Sequence, residues 1–407
     1  MPNYAIFSVL GIEIEFMLVD KVSLDVQPKS DILLEALAGH QANSVELGDI
    51  ELSNELVMHV IELKNNGPRP PSEPIANHFQ QAILQLQPLL EKHHLQLLPT
   101  GAHPWMNPHT QTIRWPHGNQ SIYQEYDKIF NCEGHGWANL QSMHINLPFA
   151  NDEEFAPLHS VVRVLLPLLP ALAASTPIIE RQLTGYQDTR LVYYEKNQQK
   201  IPSISGDIIP EAISSPADYQ EQVLAPMYRD ISPFDPEGIL QYEWLNSRGA
   251  IPKFDYNALE IRIVDTQECV HADIAIARVV HALLKYWHET SEHHHHRPCP
   301  TKMLKAVYDK TLKTGLSTPV EHAELFAQWQ IPKRTMTIRD VWSTLIERVS
   351  HTLDQPSQLA LEHILHHGNL SERIVKACQK DFSKTNLRGI YQQLADCLLR
   401  NQMFQRT

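Results

Sequence analysis

Gly11-Ile12-Glu13-Ile14-Glu15-Phe16-Met17-Leu18-Val19-Asp20 opens with a strict alternation of apolar and acidic residues. Successive side chains of a β-strand point to opposite faces, so Ile12, Ile14, Phe16 and Leu18 share one face while Glu13 and Glu15 share the other. Two carboxylates are thereby held one strand repeat apart, opposite an apolar surface. The solvated side of an ordinary antiparallel sheet has the same pattern. Its meaning therefore depends on whether other strands repeat it.

Three further stretches do. In Glu55-Leu56-Val57-Met58-His59-Val60-Ile61-Glu62-Leu63-Lys64, Glu62 sits inside an otherwise apolar, β-branched run. An ionised carboxylate there is costly to bury unless a cation or metal pairs with it. Glu55 has the opposite parity, so both reach one site only if the strand bends or bulges, or if Glu55 lies just before it. In residues 140–147, His144 and Asn146 face one way and Met143, Ile145 and Leu147 the other. A histidine so placed fits a hydrogen-bonded structural role as well as a ligand. Residues 258–265 set Glu260 and Arg262 opposite Leu259, Ile261 and Ile263, and alone that pair reads equally as a same-face salt bridge. Together, the four strands describe a polar sheet face suited to hard divalent cations. Carboxylate oxygens and a single imidazole accept magnesium or manganese, and arginine suits a transferring phosphate. Arg248, in Asn246-Ser247-Arg248-Gly249, is a further arginine candidate just before the last strand.

The wider composition agrees with a catalytic sheet. A chain of 407 residues, 43% hydrophobic and 20% charged, has ordinary globular usage and is long enough for one large domain with a smaller appendage. A net charge of −13 works against nucleic acid and anionic membrane as partners, so a phosphate-bearing ligand must be drawn in by local cations or metals. Cys132, Cys269, Cys299, Cys378 and Cys397 have no CxxC spacing and no signal peptide precedes them, which implies free thiols and a cytoplasmic location. The most apolar stretch, residues 161–174, contains Arg163, Pro167 and Pro170 and falls short of the ~20 residues a membrane span needs, so a buried, kinked core helix is expected. There is no GxxxxGK[ST] loop, no GxGxxG, no HExxH and no GxSxG, so a nucleotide would be held through metals and basic side chains.

Helical spacing appears at residues 74–92, 155–174 and 271–287, which would cover one side of the sheet. After Pro300 the chain reads as helix with short breaks, including 341–353, 374–382 and 387–399. The organisation expected is a catalytic domain over 1–290, a linker over 291–300 holding His293, His294, His295 and His296, and a C-terminal helical region over 301–407. Adjacent histidines point in different directions and lack a spaced partner set, so the run reads as a surface segment.

At these residues the chain resembles the glutamate-cysteine ligase family of the carboxylate-amine ligase type, which has a glutamine synthetase-like fold. The likeness runs in order from Gly11 to about Trp287. It comprises the glycine-led strand of glutamates, the segment Glu55 to Glu62, the turn Gly101-Ala102-His103-Pro104, the His144 strand, Asn246-Ser247-Arg248 and Leu259-Glu260-Ile261-Arg262. The family form usually has a glutamate at Ile14 and often a histidine at Ser142; Ile14 points to the apolar face, so a ligand need not be lost there.

The resemblance implies an α+β fold. A curved antiparallel sheet would present one polar, metal-binding face with helices packed on the other, followed by the C-terminal helical region. It implies ATP and two or three Mg2+ or Mn2+ ions as cofactors. Glu15, Glu55 and Glu62 would hold one ion and Glu13, His144 and Glu260 another. Arg248 and Arg262 would balance charge on the moving phosphoryl group, with Arg248, His103 and Asn146 as nucleotide contacts. Arg190 would read a substrate carboxylate, unless it is a surface residue. The implied reaction activates a carboxylate, glutamate by resemblance, as an acyl phosphate for attack by an amine such as cysteine. The implied partners are small-molecule carboxylates and amines, with homo-oligomerisation left open. Two alternatives stay open: a metal-dependent phosphotransferase acting on nitrogen, and a non-catalytic nucleotide-binding relative.

Overall fold

The computed structural model describes residues 3–118, 120–290, 298–332 and 334–405. The His293–296 run and most of the expected linker lie outside the described residues. Among the described residues, ten strands lie before the last helical region: β1 Gly11–Asp20, β2 Ser44–Leu47, β3 Ile50–Asn54, β4 Val60–Asn65, β5 Leu95–Leu98, β6 Ser142–Pro148, β7 Ile178–Ile179, β8 Gln182–Leu183, β9 Ala250–Lys253 and β10 Ala258–Asp265. β7 and β8 form a small hairpin, and the other eight make one antiparallel sheet in the order β2-β3-β4-β1-β6-β10-β9 with β5 added to β1. The antiparallel α+β class expected from sequence is the one observed.

β1 is the hub. Residues 13–17 pair with β4 along one edge; along the other, residues 11–14 pair with β6 and residues 17–20 with β5. Ile12, Ile14, Phe16 and Leu18 are all buried, as the alternation requires, against Ile61, Leu63, Ile145 and Ile261 from neighbouring strands. Helices Ile75–Lys92 and Val270–Thr290 cover that face.

One open choice about the strands is resolved and one strand expectation needs correction. The second stretch is a strand only from Val60. Glu55 lies in the connection after β3, so no bulge is needed to bring it beside Glu62. β10 does not alternate throughout: its register against β6 slips between Ile261 and Val264, a β-bulge that sets Arg262 and Ile263 opposite His144.

The apolar stretch around Pro167 belongs to a helical run, Asp152–Ala173, with a 3-10 break at Leu166–Leu168. At 22 residues it is longer than expected and passes as a membrane span by length and composition, but 78% of its most apolar window is buried in the protein core. The indole N–H groups of Trp329 and Trp342 donate to the Val164 and Leu168 carbonyls, at 2.9 and 3.0 Å, which ties the later helices to the break.

The helices after Pro300 do not all stack on one layer. Thr301–Thr314, Ile338–Val349 and Gln355–His367 join the large core. Leu370–Cys378 and Lys384–Arg400 cross to the other face, where Ile374, Leu387 and Tyr391 cluster with Met17, Val19 and Leu98. Helices thus close one end of the polar face as well as all of the apolar one.

Candidate functional site

Cross-strand register gathers the polar residues. Glu15 stands opposite Glu62, Glu13 lies between Lys64 and His144, and Glu260 opposes Asn146. Gly11 opposes Asn146 as well; a Cβ there would come within 3.0 Å of the Asn146 Cβ, which explains why glycine leads the strand.

Two groups result. Ligand atoms of Glu13, His144 and Glu260 lie within 4.8 Å of one another, and so do those of Glu15, Glu55 and Glu62. Neighbours fix each carboxylate. β6 begins beside Glu15, and the Ser142 backbone N–H and hydroxyl both donate to Glu15 Oε2, at 2.6 and 3.0 Å. Asn146 donates to Glu13 Oε1 at 2.9 Å, so in this structure it orients a carboxylate. Ser53 donates to Glu62 Oε1 at 3.1 Å. His144 has Nδ1 3.2 Å from Glu13 Oε2 and Nε2 2.9 Å from the Ser142 hydroxyl.

The electrostatics of the groups differ. Burial raises the Glu13 pKa, but the His144 hydrogen bond and the Lys253 and Lys64 charges outweigh it and hold the carboxylate well below its usual range. Burial lowers the His144 pKa more than the Glu13 hydrogen bond raises it, which favours the neutral imidazole. Burial and repulsion from Glu13 and Glu15 push Glu62 up to about 8, against which Lys64 is too weak. Glu55 is raised well above the carboxylate range by burial, then by Glu62, Glu15 and Glu13. Like charges crowded without enough cations are what a divalent ion relieves.

Beside these groups is a partly open cavity of about 170 Å³. Glu15, Glu55, His144 and Arg262 line its charged side, and Tyr126, Trp137 and Trp244 its aromatic side. Arg262 Nε lies 3.1 Å from Glu260 Oε1. Arg190 also lines the cavity, but it is buried rather than at the surface, and Asp265 already balances its charge.

Two expected residues are placed elsewhere. Arg248 is 3% exposed and its guanidinium grips Glu211 in a two-point pair, Nε to Oε2 at 2.6 Å and an Nη2 to Oε1 at 2.7 Å, outside the cavity lining. His103 lies within hydrogen-bond distance of the Leu24 carbonyl and accepts from the Trp105 N–H, and burial lowers its pKa to about 4. The turn before it is shaped by Gly101, whose missing side chain leaves room for Asp265: a Cβ would meet that carboxyl at 2.6 Å. Sequence reasoning passed over Lys64 and Lys253. Lys64 had a readable signal, since it lies two residues from Glu62 on the same strand face. Lys253 has none, because the four-residue, proline-containing β9 shows no alternation of its own.

Comparisons with known proteins bear on the family and the fold. The model of the glutamate-cysteine ligase family 2 (GCS2) matches residues 9–391. An uncharacterised protein of Archaeoglobus fulgidus is 30% identical over 97% of this chain and 100% of its own. A Corynebacterium efficiens protein provisionally named glutamate–cysteine ligase 2-1 is 22% identical over 68% of this chain and 66% of its own. Among solved structures, a glutamate–cysteine ligase of Francisella tularensis in complex with AMP superposes with a TM-score of 0.61 at 13% identity, over 97% of this chain and 90% of that one. A bifunctional glutathione synthetase of Pasteurella multocida gives 0.64 at 12% identity, over 97% and 53%. At these identities the structural matches speak for the fold.

Proposed function

The chain belongs to glutamate-cysteine ligase family 2, and on that premise we propose that it is an ATP-dependent ligase that activates a carboxylate, glutamate in the first instance, for attack by an amine such as cysteine. The observation that carries this reading is the side-by-side placement of two three-ligand groups on one sheet face, next to a cavity that Arg262 also lines.

The donor set fits the metals the family reading asks for. Five carboxylates and one neutral imidazole are hard donors of the kind Mg2+ and Mn2+ accept, and the raised pKa values of Glu55 and Glu62 mark an unmet demand for positive charge. Glu15, Glu55 and Glu62 would hold one ion, and Glu13, His144 and Glu260 the other. Such ions neutralise a triphosphate and align donor with acceptor. The chain's own residues do the rest. Ser142, Ser53 and Asn146 keep the carboxylates in place. Arg262 presents a planar guanidinium to charge developing on the phosphoryl group. Converting the acid to an acyl phosphate replaces an oxide leaving group with phosphate, after which the amine attacks and loses a proton.

The test is a screen of acids and amines for ADP formation with Mg2+ or Mn2+, with hydroxylamine as a trap. Acid-dependent ADP release and a hydroxamate are expected, and chelator should abolish both. A stable phosphoramidate with no hydroxamate would replace the ligase with a phosphotransferase.

A further inference from the structure

The two ligand groups differ in the cations the chain already supplies. Lys253, at the end of β9, has Nζ paired with Glu260 Oε2 and 3.7 Å from Glu13 Oε1, while Arg262 stands on the other oxygen of Glu260. Two carboxylates thus face two cations of the chain itself. In the other group, three carboxylates have one ion-pair partner among the described residues, Lys64, which lies 3.4 Å from Glu62 and is shared with Glu51 at 3.7 Å. A divalent ion approaching Glu15, Glu55 and Glu62 meets excess negative charge. One approaching Glu13, His144 and Glu260 meets a balanced site with an ammonium already on its ligand oxygens. Lys253 is 30% exposed along its side chain, so it can swing aside without unfolding β9.

We propose that Lys253 is a resident counter-ion that makes the Glu13–His144–Glu260 group the weaker ion site, filled only together with a nucleotide, whose phosphates then receive the displaced ammonium. The proposal rests on the two-ion reading above and adds to it an order of loading and a positioning residue. The order follows from electrostatics. The first ion relieves repulsion between carboxylates, whereas the second must break two ion pairs, and a polyphosphate offers those cations a new partner.

Manganese binding to the full chain, followed by the free-ion electron paramagnetic resonance signal, tests this. Wild type should bind one tight Mn2+ without nucleotide and a second on addition of adenylyl imidodiphosphate. Lys253→Met should bind two without nucleotide, the second about tenfold or more tighter than in wild type, and should bind the analogue more weakly. Lys253→Arg should behave as wild type. Lys253→Gln is measured alongside, so that a folding defect peculiar to one side chain does not decide the outcome. Two equally tight ions in nucleotide-free wild type, or an unchanged second site in both Lys253→Met and Lys253→Gln, would overturn the proposal and leave the two-ion reading standing. Wild type that binds no Mn2+ in either state would overturn both.

Discussion

Glu13 and Glu15 at one end of β1 and Met17 and Val19 at the other lie on the same face of the same strand, yet the first pair is half-buried, with Glu15 lining a cavity, and the second is buried. What separates them is the covering layer. Helices Leu370–Cys378 and Lys384–Arg400 bring Ile374, Leu387 and Tyr391 over Met17 and Val19, and stop short of the glutamates. One strand therefore serves as core where it is covered and as a charged site where it is not. Apolar burial at the closed end stabilises the fold, while crowded carboxylates at the open end destabilise it, and this division can be attacked from either side.

The largest effect is expected at the open end. Glu13→Ala and Glu260→Ala should lower metal-dependent ADP formation by about 10²–10³-fold or more, with a fall in melting temperature because Lys253 and Arg262 lose a partner. Wild-type turnover in either variant would remove β1 or β10 from the site. At the closed end, Met17→Ala should cost about 3 kcal/mol in urea unfolding, because it opens a cavity under the last two helices, while the folded fraction keeps its turnover. A loss of turnover without a loss of stability there would erase the contrast.

The two arginines expected to act alike should now separate. Arg262→Lys keeps the charge but loses the planar fork, and should reduce kcat about tenfold or more with little change in nucleotide affinity. Arg248→Lys breaks the two-point pair with Glu211 and should instead lower stability, by roughly 1–3 kcal/mol. Matching kinetic losses in both would mean that Arg248 leaves Glu211 during turnover.

The smallest effect is a pH slope. Glu62 has a folded pKa of about 8 against 4.5 for the free side chain, so below pH 4.5 it is neutral in both states and costs nothing. As pH rises, the unfolded chain loses this proton before the folded one, so its contribution turns destabilising between 4.5 and about 8. Metal-free protein should therefore lose stability across that range, and Glu62→Gln should recover roughly 1–3 kcal/mol at pH 8. Excess Mg2+ should flatten the slope in wild type alone. A slope that survives in Glu62→Gln would assign it to other groups.

Much of this was legible in one dimension. Alternation placed Ile14 and Ile261 inside and Glu13, Glu15, His144 and Glu260 outside, because strand parity is a local property. Cross-strand register is not legible, so β2, β3, β5 and β9 do not show in the sequence, nor does Lys253, and the choice between a bulge and a position before the strand for Glu55 stays open there. Arg248 misled for a related reason. A guanidinium in a loop reads the same whether its carboxylate partner is a substrate or Glu211, more than thirty residues earlier in the chain. Helix periodicity located the last helices but could not say which face of the sheet they would cover.

The bulge at Arg262 and Ile263 also bears on how this sheet can change over time. Glu260 faces the cavity side and Val264 the interior although both are even-numbered, and the extra residue carries Asp265 back to the side where it meets Arg190, Ser175 and Thr176. Straightening the ladder with the residue count unchanged would turn the Asp265 carboxylate into the hydrocarbon layer and strand Arg190 without its counter-charge. Loss of one residue from the bulge would instead give a regular ladder with Asp265 still opposite Ser142, so the bulge and the length of β10 are tied to one another. Homologous chains should accordingly tolerate exchanges at Ile261 and Ile263, and any that are one residue shorter between Glu260 and Asp265 should lack the bulge.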